Sequence, residues 1–159
     1  MALTAEQQAA VKADILANPD LNALPAGADG SFAIAALYNL EAAPAFVVWR
    51  TSIPTEEIKD ALDWTELIAA SVGERDSFLV MIEGGSINAA KTNIRAGIQD
   101  VFSGPGGLNT RTALVALAKR NATRIEALLA TGTGSDADPA TMTLEGNISY
   151  QDVLSARTS

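Results

Sequence analysis

Neither cysteine nor histidine occurs among the 159 residues. Disulfides, thiolate nucleophiles and Cys/His zinc sites are thereby excluded. So is the side chain that most often serves as a general base near neutral pH. Only 8 residues are aromatic, so large core anchors are scarce. No apolar run approaches the roughly 18–20 residues that would span a bilayer. The opening MALTAEQQ lacks the basic and apolar regions of a signal peptide. The expectation is a soluble chain made in the cytoplasm, without a membrane partner.

What is present favours helices. Apolar residues make up 48% of the chain, and 30 residues are alanine, the best helix former. That length suits one hydrophobic core. The net charge of −8 is unevenly spread. Residues 1–90 hold 13 acids against 4 bases, a net −9, whereas residues 91–134 hold 6 bases against Asp100 and Glu126, a net +4. A mostly acidic surface disfavours sequence-specific nucleic-acid binding. The opposed halves could meet each other or a second copy of the chain.

Capping signals divide the chain. Thr4 with Gln7 opens a helix over 5–17, which Asn18-Pro19 stops, and a short turn follows over 20–24. Ser31 is expected to cap an apolar, buried helix over 32–39. Phe46 to Trp49 reads as a short strand or a helical turn, since periodicity cannot decide at this length. Ser52 opens a helix to Leu62. Asp63 with Glu66 and Ser71 with Glu74 are rival boxes; the second is preferred, giving a helix over 72–83 that buries Phe78, Leu79, Met81 and Ile82. Another helix falls within 86–102. Thr123 with Glu126 breaks the next stretch into helices over 110–120 and 123–130.

The alternation Met142, Leu144, Ile148, Tyr150 around Glu145-Gly146-Asn147 predicts a β-hairpin, with Ser149 and Asp152 capping a last helical turn. The expected fold is therefore mostly α: a helix bundle over 1–131, then a flexible glycine joint, a short C-terminal β-hairpin and an arm over 132–159. The hairpin's apolar face needs cover from its own domain or from a partner.

Motifs for chemistry fail on inspection. Gly132-Thr133-Gly134 has no following lysine and no leading strand, so it is no phosphate loop. Asp136-Ala137-Asp138 lacks the further acids of a calcium loop. The acid pairs Glu56/Asp60 and Asp63/Glu66 sit at helix starts, where capping accounts for them. Trp49 and Trp64 read as core anchors. The expectation is no catalytic residue, no cofactor and no metal, with partner contacts assigned to Arg120, Arg124, Met142, Leu144, Ile148 and Tyr150. Lys119 belongs to the same basic cluster.

Two stretches, PAFVVWRTSIPTEEI and ATRIEALLATGTGSDADPATMTLEGNISYQDV, resemble small structural proteins of tailed bacteriophages. A helix bundle with a C-terminal arm is also similar in outline to head–tail connector (adaptor) proteins. The resemblance implies a non-enzymatic virion component, assembled in the host cytoplasm and partnered by copies of itself, the portal and neighbouring head–tail proteins. A capsid decoration or tail protein is the nearest alternative. A small carboxylate-using enzyme or ligand-binding domain is the more distant one.

Overall fold

The computed structural model describes residues 3–159. In chain order the helices are α1 (Ala5–Ala17), α2 (Pro19–Asn22), α3 (Ala28–Tyr38), α4 (Thr55–Ala61), α5 (Trp64–Ala69), α6 (Val72–Ile82), α7 (Thr92–Val101), α8 (Leu108–Leu117), α9 (Arg124–Leu129) and α10 (Tyr150–Thr158). The strands are β1 (Val47–Trp49), β2 (Ile53–Pro54), β3 (Ser86–Ile87) and β4 (Lys119–Asn121). β1 pairs with β4, and β2 pairs antiparallel with β3. The protein is thus mostly α with short β elements, as its composition implies.

The expected division at residue 131 is not the observed one. One compact unit joins Met1–Val48 to Asn121–Ser159, and the other is Trp49–Arg120. The chain therefore leaves the first unit and returns to it, and its last third packs with its first. In that first unit Val11, Ile15, Leu21, Ile34 and Tyr38 share a core with Ile125, Leu144, Ile148, Val153 and Ala156. α10 lies against α3 and α1.

The capping grammar accounts for most helix starts. Thr4, Ser71, Thr123 and Ser149 each accept the third helical amide and receive the reciprocal side-chain bond. Asn18 both ends α1 and caps α2, accepting from the amides of Asp20 and Leu21. Asp63 caps α5, so the two rival boxes each open a helix. Ser31 does not cap: the N-cap of α3 lies four residues earlier, at Gly27, whose φ of 92° few other residues adopt. The Ser31 hydroxyl instead donates back to the Gly27 carbonyl at 2.8 Å. α3 is also not buried all round, since Phe32 and Leu37 face solvent. In α6, Phe78 and Ile82 are buried, whereas Leu79 is exposed and Met81 half-buried.

The expected hairpin is replaced by an irregular run. Residues 140, 142, 144, 146, 148 and 150 are buried in full or in part, the chain bends at Thr143, Leu144 and Gly146, and among the described residues no strand pairing joins 142–144 to 148–150. Its backbone finds partners one at a time. Thr141 and Thr131 exchange both amide bonds, at 2.8 and 2.9 Å. The Ala140 amide donates to the Val47 carbonyl at 2.9 Å. Asn39 then acts as a substitute strand: its side chain accepts from the Ile148 amide at 2.9 Å and donates to the Ile148 carbonyl at 3.0 Å. The Gly146 amide donates to Glu126 at 2.8 Å.

The glycine joint is likewise a packed corner. The Gly134 carbonyl accepts the Val47 amide at 2.7 Å. Gly134 holds a φ of 67°, and a Cβ there would fall inside the Phe46 ring. Both facts demand glycine. Gly134→Ala is expected to cost about 2–4 kcal/mol from strain and overpacking combined, seen as a lower urea midpoint with an unchanged slope.

Candidate partner-binding surface

The partner residues expected from sequence are mostly occupied at home. Leu144 and Ile148 are each 4% exposed and belong to the core of their own unit. Met142 is half-buried against the small cluster of Val48, Ala122 and Ala140. The Tyr150 ring stacks on Phe32, with centroids 3.9 Å apart. Of the two expected ways to cover that apolar face, its own domain supplies the cover for Leu144 and Ile148 fully and for Met142 and Tyr150 in part.

The basic cluster is also divided. Lys119 and Arg120 lie in β4, in the second unit, while Arg124 opens α9 in the first. The Arg124 guanidinium sits 3.3 Å from the Asp14 carboxylate and 5.2 Å from the centre of the Tyr38 ring. Tyr38 is fully buried and donates its hydroxyl to Asp14 at 2.7 Å. Burial, reinforced by that hydrogen bond, pushes the Tyr38 phenol well above its ordinary range. This triad ties α1, α3 and α9 together and keeps Tyr38 protonated.

The acids once paired on paper have structural duties. Asp63 caps α5 and also accepts from the Asn109 side chain at 3.3 Å. Glu66 accepts the amides of Asn109 and Thr110 at 3.0 and 2.7 Å, so it caps the start of α8 from another helix. The Asn109 side chain foremost holds Asp63 below the usual carboxylate range, with the Thr65 and Glu66 amides adding to it against partial burial. Burial alone would raise Glu66, but the amides of Thr110 and Asn109 and the Thr110 hydroxyl outweigh it and bring it down. Glu74 is lowered by the Ser71 hydroxyl and amide. Glu57 is lowered by Arg50, which it meets at 2.7 Å.

Groups depressed on folding stabilise the folded state above the unfolded carboxylate range. That contribution is lost as pH falls through their folded values. The melting temperature of the second unit should therefore hold from neutral pH down to the ordinary carboxylate range and drop below it. Asp63→Asn combined with Glu66→Gln should flatten the dependence. Melting curves followed by circular dichroism at stepped pH check both; a melting temperature that rises on acidification contradicts the assignment.

Among the described residues no three acids gather as for a metal ion. In the Asp136–Asp138 loop, Asp138 accepts the Thr133 hydroxyl at 3.0 Å, and its amide donates to Ser135 at 3.0 Å. No helix of the described residues is long and apolar enough to cross a membrane.

Two surface features on the second unit escaped the sequence reading. The first is a set of exposed apolar side chains. Trp64 is 53% and Ile68 68% exposed on α5, one helical turn apart. Val72, Leu79 and Val80 line the outer face of α6, and Leu108 stands at the start of α8. Trp64 is thus no core anchor: Asp63 caps α5 in the register that turns the indole outward. The second feature is a cleft of about 440 Å³ between α7 and α8. Trp49, Ile98 and Leu114 line it with Arg95, Arg111 and Val115. Arg95 lies over the Trp49 ring at 4.5 Å and donates to the Ala89 carbonyl at 2.6 Å and to Thr92 at 3.2 Å. Arg111 donates to the Phe102 and Gly104 carbonyls.

Set against family models, curated proteins and solved structures, the chain matches none of them.

Proposed function

We propose that this chain is a non-enzymatic structural subunit of a tailed-phage particle, a head–tail connector that forms a ring of copies beneath the portal. The observation that carries the reading is the exposed apolar set on α5, α6 and α8. Large exposed apolar side chains, such as Trp64 and Ile68 one turn apart on α5, mark contact with other proteins when they stand together, and a ring subunit needs such contacts to recur. The phage-like stretches supply the setting. The duties of Asp63 and Glu66 as caps weigh against the carboxylate-enzyme alternative. A net charge of −8 suits a passage through which DNA slides without adhering.

Peptide mass spectrometry of purified particles, fractionated into heads and tails, tests the setting. The expected result is the chain at the head–tail junction in a fixed ratio to the portal. Recovery with capsid shells or tail tubes alone assigns it to the decoration or tail alternative. Absence from mature particles overturns the proposal.

A further inference from the structure

The apolar set and the cleft lie on the same unit but share no residue. Their charges are opposed. Residues 60–75, which surround α5, carry Asp60, Asp63, Glu66 and Glu74 against Arg75, a net −3. Residues 91–115, which build the cleft walls, carry Lys91, Arg95 and Arg111 against Asp100, a net +2. Arg95 and Arg111 are fixed by carbonyl and hydroxyl oxygens, and among the described residues neither meets a carboxylate. Both guanidiniums line the cleft and so leave it positively charged.

We infer that the cleft receives a second copy of this chain, whose Trp64 and Ile68 seat head to tail between Arg95 and Arg111. The inference rests on the self-assembly proposed above and specifies its contact. Trp and Arg are the side chains that most often dominate interface energetics. A guanidinium over an indole adds cation–π attraction once water is displaced. Trp49 already shows that pairing with Arg95 inside the cleft. Acids around the entering helix and bases around the receiving cleft steer the encounter and fix its direction. A contact between two different patches is heterologous, and repeated around a closing rotation it yields a ring.

Complementation tests the direction. Trp64→Glu removes the entering side chain and leaves the cleft intact; Val115→Glu blocks the cleft and leaves α5 intact. Both positions are well exposed, so each variant should keep the parent's melting transition, and Ile68→Glu replaces Trp64→Glu if that one does not. Each alone should weaken self-association by at least about tenfold. Mixed, they should form a heterodimer that grows no further, because the one contact left intact seats Trp64 of the Val115→Glu chain in the cleft of the Trp64→Glu chain. Since the chain has no cysteine, Ile68→Cys and Val115→Cys chains can also be mixed and oxidised. A 68–115 adduct is expected. A 68–68 adduct, or a mixture that associates no better than its components, overturns the head-to-tail contact. Variants that assemble like the parent overturn the contact while leaving the assembly reading standing. A parent that stays monomeric at every concentration, alone and with a portal, overturns both.

Discussion

Ending the chain at Thr131 is expected to abolish cooperative folding of the unit built from Met1–Val48 and Asn121–Ser159. The truncation removes Leu144, Ile148, Val153 and Ala156 from a core they share with α1 and α3. Burial of a Leu, Ile or Val side chain contributes about 1.5–3 kcal/mol, so the three large ones alone contribute roughly 5–9 kcal/mol. Typical domains are stable by only about 5–15 kcal/mol. Polar ties go as well. Arg157 donates to the Pro25 and Leu24 carbonyls at 2.9 and 3.1 Å, and Asn39 loses both bonds to Ile148. Circular dichroism should show loss of helix well beyond the 9 residues of α10, with no sharp melting transition for this unit. A truncated chain that keeps the parent's transition would show that residues 132–159 form a detachable arm.

Replacing Glu126 is expected to be the most damaging point change away from the apolar core. The residue is 1% exposed. Its carboxylate accepts the Thr123 amide at 2.9 Å, closing the cap of α9, and the Gly146 amide at 2.8 Å, anchoring the irregular run. Glu126→Ala leaves both amides without that acceptor, at a cost of about 3–5 kcal/mol. Glu126→Gln keeps the size and one carbonyl acceptor but turns an NH2 toward the other amide, so about half that loss is expected. Urea titrations of the two variants measure the difference directly. A Gln variant as stable as the parent would mean that shape, not the two accepted amides, is what Glu126 supplies.

Helix starts were legible in the sequence because a cap is a local device. Thr4, Ser71, Thr123 and Ser149 act on amides three residues away, whatever the rest of the chain does. The hairpin was not decidable for an equally local reason. A three-residue loop at 145–147 preserves the inward parity of 144 and 148, and so does the unpaired, bent run that forms. The alternation is the same either way. What settles the matter is distant: Asn39 and Glu126 supply hydrogen bonds that a partner strand would otherwise give. Gly134 misled similarly. Glycine reads as freedom, yet here it admits the Phe46 ring.

The exposed set was missed because Trp64 looks like a core residue by type. Only the register of a six-residue helix, fixed by Asp63, turns it outward. The duty of Glu66 was half visible. It matches a capping box with Asp63, but the Asp63 amide donates to Thr110 instead, and the amides Glu66 accepts belong to Asn109 and Thr110, more than forty residues along the chain. The cleft arginines gave no signal at all, since lone bases on a helix usually face solvent.

Light scattering coupled to size exclusion, on the purified chain alone and with the portal proposed as its partner, tests the claim of self-assembly most directly. The account predicts a mass of at least twice 16.5 kDa in whole multiples, or a portal complex heavier than the portal by such a multiple. A single species of 16.5 kDa under both conditions would contradict it.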